Sequence, residues 1–178
     1  SISISHTTRK PRSKEINGKD YFFVSGDEFK ELIRNKKFLE YAKVFNNYYG
    51  SAREIVINLL KNGDNVVFDI DWQGTQQIKE KKLNYKIFTI FILPPSKEEL
   101  YQRLMNREIN NNKIVEERMK QFKEDVLHWV EYDFVVINDE LESCFSQIMN
   151  FIKQKKQNKD IEFYNKKIIK EHIKILLS

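Results

Sequence analysis

The chain has 178 residues, 40% of them hydrophobic, which suits one domain with a real core, carrying small inserted lobes at most. Charged residues make up 32%, with 31 basic against 26 acidic, so the net charge of +5 leaves a phosphorylated small molecule, a nucleic acid or an anionic surface as candidate partners. Cys144 is the only cysteine, which excludes an internal disulfide and fits a reducing, cytoplasmic compartment, and no apolar run reaches the length of a membrane span.

In chain order, Ile2 and Ile4 read as the end of a strand. The chain starts there without Met, and we expect further sequence before Ser1. The loop Ser5-His6-Thr7-Thr8-Arg9-Lys10-Pro11-Arg12 follows, with Pro11 stiffening it between two arginine forks that suit a phosphate. Asn17-Gly18 turns the chain into a strand at Tyr21–Val24. Ser25 and Glu28 form a capping box for a helix to about Asn35, and Phe38–Phe45 is strand-like. Ser51 with Glu54 reads as a second capping box, opening a helix that closes at Asn62-Gly63. A strand at Val66–Phe68 leads to Asp69-Ile70-Asp71, with a helix from about Thr75 to Lys82. Ile87–Leu93 is a strand stopped by Pro94-Pro95, and Ser96 caps a helix to about Arg107. A helix over Lys113–Trp129 and a strand at Phe134–Ile137 follow, and Asp139 with Glu142 is expected to cap a last helix. The Lys-rich tail from Lys155 to Ser178 reads as a docking helix, with Ile168, Ile169, Ile173 and Leu176 on its apolar side, or as a loose extension.

The runs after residue 65 are apolar without alternation and are separated by helices, which predicts a parallel sheet with right-handed crossovers. The stretch from Ser5 to Gly63 is richer in aromatics and turns and reads as an inserted lobe. Ligands of open parallel sheets sit beyond the carboxyl ends of the strands. Asp69 and Asp71 lie at such an end, either as turn and capping acids or as acids facing a nucleotide and its metal. Asn138 holds the equivalent place after Phe134–Ile137.

Taken together, Ser5-x-Thr7-Thr8-Arg9-x-Pro11-Arg12, Asn17-Gly18-x-Asp20-Tyr21-x-Phe23-Val24-Ser25, Phe38-Leu39-Glu40-Tyr41-Ala42, Asn47-Tyr48-Tyr49-Gly50-Ser51, Asp69-Ile70-Asp71-x-Gln73-Gly74, Pro94-Pro95-Ser96 and Val136-x-Asn138-Asp139 resemble the guanylate kinases, which pass phosphate from ATP to GMP. The resemblance spans roughly residues 1–150 and implies a P-loop NTPase-type α/β fold: a parallel sheet flanked by helices, with a small α+β GMP-binding lobe and a helical lid. The implied division is a core of residues 1–4, 64–102 and 129–154, a GMP lobe at 5–63, a lid at 103–128 and a basic C-terminal extension at 155–178.

The resemblance also implies roles. Ser5 and Glu40 match positions that read the guanine edge, and Asp71 one that assists there and near Mg²⁺. Arg9, Arg12, Tyr21 and Tyr49 match positions holding the GMP phosphate, and Ser51 and Asp69 further positions lining the cleft. Arg103, Arg107 and Arg118 match lid arginines that close on the phosphates being transferred, and Asn138 an ATP-side position. The residue types suit that chemistry. A carboxylate accepts both neighbouring N–H donors of guanine and a hydroxyl donates to its carbonyl. The GMP phosphate needs no strong base, because its second pKa is roughly 6. Taken singly, Tyr21 and Tyr49 also read as core aromatics, Glu40 as a charge that discourages edge pairing, Ser51 as an N-cap, and the lid arginines as helix-surface charges. His6 and His128 read as non-catalytic.

The phosphate loop G-x-x-x-x-G-K-[ST] does not occur in these residues, and Glu108 stands where small residues are favoured beside the lid arginine. The chain by itself is therefore expected to transfer no phosphate. Two other classes remain at this point: an inactive guanylate-kinase-like module binding phosphorylated peptides, and a basic nucleic-acid binder. Against the latter, the basic residues outside the tail form no stripe with interleaved aromatics. The expected partners are GMP and ATP with Mg²⁺, with no nucleic acid and no membrane.

Overall fold

The computed structural model describes residues 1–108, 111–159 and 165–178. It divides into two compact units, Ser1–Tyr85 and Lys86–Ser178. Residues 109–110 of the expected lid and 160–164 of the expected extension lie outside the described residues.

The first unit is built on a four-stranded sheet, β1 (His6–Thr7), β2 (Phe22–Phe23), β3 (Phe38–Val44) and β4 (Asn47–Ala52), in the order β2-β1-β4-β3. The β3–β4 hairpin turns at Phe45-Asn46. Helix α1 (Gly26–Arg34) opens on the expected capping box: the Ser25 side chain accepts from the Glu28 amide, and the Glu28 carboxylate accepts from the Ser25 amide. Phe29 of α1 is fully buried and stacks on Phe38 and Tyr48, at 4.5 and 5.4 Å between ring centroids. Helices α2 (Arg53–Lys61) and α3 (Trp72–Glu80) complete the unit, burying Val56 and Ile78. Gln77 of α3 binds both backbone groups of Tyr41, accepting from its N–H at 3.1 Å and donating to its carbonyl at 2.7 Å. This fastens α3 along edge strand β3 and sets the height of the helix's first turn.

The second unit carries the parallel pair β5 (Ile90–Leu93) and β6 (Phe134–Ile137), in register from Ile90↔Phe134 to Leu93↔Ile137. Between them run α4 (Lys97–Arg107), α5 (Asn112–Asp125) and a 3-10 helix (Val126–Glu131), and after them α6 (Leu141–Lys156) and α7 (Lys166–Leu177). Both faces of the pair are covered. Leu93 and Val135 meet Val126 and the Ile169, Ile173 and Leu176 stripe of α7. Phe134 and Val136 meet Cys144 and Phe151 of α6. Burial on both sides is why Phe134–Ile137 reads as an unbroken apolar run, whereas in β5 Leu93 is buried and Ile92 is exposed. The tail thus holds a packed helix, and His172 Nε2 lies 2.8 Å from the Pro94 carbonyl oxygen. Ile168, expected on the packed side, is exposed.

Several local expectations are corrected. Ser51 does not cap α2: β4 continues through Ala52, which is the N-cap and makes no side-chain cap bond. The expected Val66–Phe68 strand and the Ile2–Ile4 strand meet only as a single parallel bridge, Ile2↔Val67. Helix α3 starts at Trp72 rather than Thr75 because Asp71 caps it. The expected helix over Lys113–Trp129 tightens into a 3-10 turn from Val126. Helix α6 has Glu140 at its N-cap with no side-chain cap bond, while Asp139 Oδ1 accepts from the Glu140 amide at 2.7 Å. Among the described residues no helix is long and apolar enough to cross a membrane.

Candidate active site

The first unit holds a row of buried polar side chains across three adjacent strands. Strand β1 pairs antiparallel with β4 through His6↔Gly50, and continuing that register sets Ser5 opposite Ser51. Ser51 in turn pairs with Glu40 on β3, next to a bulge at Phe38/Glu40. Ser5, Ser51 and Glu40 are 6%, 0% and 3% exposed. Burial drives the Glu40 pKa up and the charge of Asp71 adds to the rise, while the hydroxyl and amide of neighbouring Ser51 oppose it. The Ser51 hydroxyl acts on Glu40 by proximity rather than through a well-formed bond: neither Glu40 Oε1 nor Ser51 Oγ has a partner in hydrogen-bond geometry. A buried acceptor in that state is costly unless something supplies a donor.

A second cluster is cationic. Thr7 and Thr8 tie the start of the arginine loop to β4: Thr7 Oγ1 donates to the Tyr48 carbonyl at 3.0 Å, and the Tyr48 amide donates to Thr8 Oγ1 at 2.9 Å. Arg9 then lies over the Tyr21 ring, with Cζ 5.3 Å from its centroid, and Tyr21 meets Tyr49 edge-on at 6.1 Å. Glu15 holds the arginines. Its carboxylate accepts from Arg9 Nη1 and Nη2 at 2.9 and 2.7 Å, and from the Arg12 amide at 2.7 Å. The Arg12 guanidinium reaches it at 3.3 Å. The bond from Arg9 is the main reason the Glu15 pKa falls to about 2. In return Glu15 raises the pKa of Arg9, with a smaller contribution from Tyr49.

The two acids after the bridge at Val67 behave differently. Asp69 is exposed. Asp71 is the N-cap of α3, with Oδ1 accepting from the Gly74 amide at 2.8 Å and Oδ2 from Gln73 Nε2 at 3.1 Å. Its oxygens are therefore engaged with the helix, and among the described residues no group of three or more metal-ligating side chains could hold a cation.

In the second unit Arg103 donates to Glu99 at 2.8 Å and to the backbone carbonyl of Asn138 at 3.2 Å. Asn138 donates its amide to the Leu93 carbonyl at 2.8 Å, joining the ends of the parallel strands. Arg118 pairs with Glu108 at 3.2 Å, and Arg107 is exposed in the last turn of α4. Glu108, which stands out in the sequence as an intrusive negative charge, is thus the ion-pair partner of Arg118, one of the expected lid arginines.

Residues 1–155 match the family model described as guanylate kinase. The chain belongs to the guanylate kinase family. It is 43% identical over 169 residues to a guanylate kinase of Blochmanniella floridana, covering 94% of this chain and 80% of that protein. Against the guanylate kinase of Rickettsia prowazekii (strain Madrid E) the identity is 50% over 151 residues, covering 85% of this chain and 76% of the relative. The crystal structure of guanylate kinase from Anaplasma phagocytophilum superposes with a TM-score of 0.73 at 33% identity, over 87% of this chain and 75% of that one.

Of the positions that the guanylate kinase motifs single out, the first unit gathers Ser5, Ser51 and Glu40 in one buried row, and Arg9, Arg12, Tyr21 and Tyr49 around the arginine loop. Asp71 sits at the α3 cap, and Asp69 is outside both groups. The motif reading missed Glu15. Its only signal in the sequence is an acid three residues after Arg12, in a loop otherwise dominated by basic residues.

Proposed function

We propose that the first unit binds GMP, with the base over the Ser5–Ser51–Glu40 row and the phosphate at the Arg9–Arg12–Tyr21–Tyr49 cluster, as acceptor for phosphate from ATP. The observation that carries this reading is Glu40: a carboxyl almost fully buried, with one oxygen lacking any donor. Guanine presents adjacent N–H donors that a carboxylate accepts together, and its carbonyl suits a hydroxyl such as that of Ser5. Arg9 and Arg12 supply the planar forks that phosphate recognition favours. Tyr21 and Tyr49 bring hydroxyl donors to the same place, and Ser51 and Asp71 border the base side. Asp69, exposed, lines the cleft at most.

In the second unit we assign Arg103, Arg107 and Arg118 to the phosphates being transferred and Asn138 to the ATP side. Phosphoryl transfer asks the protein chiefly to align two anions and neutralise the charge between them. Mg²⁺ accompanies the nucleotide phosphates in such reactions, and Asp71, whose oxygens keep acceptor capacity beyond the α3 cap, is the residue we place near it. A cytoplasmic place in purine nucleotide metabolism, without nucleic-acid or membrane partners, follows from this substrate pair.

The test is base selectivity in binding. AMP lacks both donors that face Glu40 and should be rejected by roughly 10⁴-fold, with IMP, which lacks only the 2-amino group, in between. Glu40→Gln turns one acceptor into a donor facing a donor, costing about 1–3 kcal/mol, or roughly 5- to 150-fold, for GMP and less for IMP. Calorimetric titration of both nucleotides into both proteins reads the GMP/IMP ratio. An unchanged ratio in Glu40→Gln would remove Glu40 from the base site.

A further inference from the structure

Helix α3 contains a glycine at its third position, Gly74. Glycine there is locally unfavourable, since alanine is the better helix former. No positive φ excuses it: the glycines with positive φ are Gly18 and Gly63. The surroundings give the reason. A Cβ built on Gly74 would fall 2.6 Å from Glu40 Oε2 and 3.2 Å from Glu40 Cδ, with Ile70 Cβ at 3.3 Å. The first of these separations is one that no real Cβ adopts. The Glu40 carboxylate therefore occupies the volume of the missing side chain.

We propose that Gly74 is a positioning residue for guanine selectivity, acting by leaving the Glu40 carboxylate room to rest against the first turn of α3. The inference rests on the assignment of Glu40 to the base. Helix α3 cannot easily back away. Gln77, one turn on, is bonded to both backbone groups of Tyr41, the residue after Glu40, and the Gly74 amide is held by Asp71. The yielding partner is the end of the Glu40 side chain, so a methyl at Gly74 would push the carboxylate rather than unfold the lobe. The backbone of β3 and the Ser5–Ser51 part of the row would stay in place. The protein would keep its fold and its phosphate cluster while losing the alignment of its base acceptor.

The experiment is a double-mutant cycle on the full chain with Gly74→Ala, Glu40→Ala and the double variant, with Glu40→Gln alongside. Melting temperature is read without ligand, and affinity for GMP and IMP by calorimetry. Gly74→Ala should weaken GMP by roughly 10-fold or more, IMP by less, narrowing the ratio as displaced hydrogen-bonding partners do. Its melting temperature should fall in the Glu40 background and hold or rise in the Glu40→Ala background, where only the gain in helix propensity remains. An equal fall in both backgrounds would mean that the methyl collides with Ile70 instead, and would overturn the proposal. So would a Gly74→Ala protein with wild-type GMP affinity and ratio. A coupled cycle combined with an unchanged ratio in Glu40→Gln would leave the Gly74–Glu40 contact standing and overturn the guanine assignment beneath it.

Discussion

Replacing Glu15 by Gln keeps the side-chain shape and removes one charge. The wild-type carboxylate receives two bonds from the Arg9 fork, one from the Arg12 amide and a longer one from the Arg12 guanidinium, and its side chain is 16% exposed. Hydrogen bonds to charged groups contribute roughly 1.5–3 kcal/mol each when well formed, while exposed ion pairs contribute about 0.2–1 kcal/mol. Glu15 lies between those limits, and its amide replacement can still accept from the Arg12 backbone. The expected loss is therefore roughly 1–3 kcal/mol for the whole group, or about 3–10 °C in melting temperature for a chain of this size.

The pH dependence distinguishes this mechanism from a generic loss of packing. The folded pKa of about 2 lies below the ordinary 4.5, so the stabilisation is fully present above pH 4.5 and is lost as pH falls toward 2. The gap in melting temperature between wild type and Glu15→Gln should be constant from pH 5 to 7 and shrink steadily below pH 4.5. Scanning fluorimetry across that range is sufficient. A gap of the same size at pH 3 and pH 7 would refute the argument, because it would not depend on the charge. GMP affinity should fall in the same variant at neutral pH, since the Arg9 fork loses the partner that fixes its plane.

Two other outcomes can be measured on the same protein. Burial raises the pKa of Glu40, and only its ionised form accepts both guanine donors, so acidification through that raised value should weaken guanosine binding by about tenfold per pH unit; guanosine avoids the phosphate titration near pH 6, and Glu40→Gln should flatten the slope, whereas a slope retained in the variant assigns the proton elsewhere. Ile173, 5% exposed within the cluster of Leu93, Val126 and Val135, should cost about 2–5 kcal/mol when cut to Ala, and a melting temperature within a degree of wild type would mean that α7 is not part of that core.

Local signals carried the elements whose causes are local. Ser25 and Glu28 announce α1 because a capping box is complete within one turn. Phe134–Ile137 announces β6 because both of its faces are buried. Ser51 shows where this ends. Ser-Ala-Arg-Glu fits the capping pattern as well as Ser25-Gly-Asp-Glu does, but pairing with β3 carries β4 one residue past Ser51 and turns its hydroxyl into part of the buried row. That pairing depends on contacts far along the chain, which no short pattern encodes. Asp71 carried two readings, of which the capping one is a local contact that the structure displays. Glu15 and Gly74 were least legible for the same reason: each acts on a partner, Arg9 or Glu40, that only the fold brings against it.

Glu15 and Glu40 are perturbed in opposite directions, and on the proposed reading this separates selectivity from affinity. Glu15 already has its donors, so its charge is stable and its work, fixing two arginines, is done before any ligand arrives. An arginine cluster on a partly exposed loop attracts any phosphate monoester, whatever base it carries. Glu40 is the reverse: buried, short of donors and pushed toward its neutral form. On the proposed reading, a base without the matching N–H pair leaves that deficit in place, whereas guanine supplies the missing donors. Selectivity of this kind needs a dry, fixed acceptor. That fits the proposed division, with Glu40 on a sheet strand clamped by Gln77, and Arg9 and Arg12 on a loop that Thr7 and Thr8 tie to β4 and that Glu15 holds together.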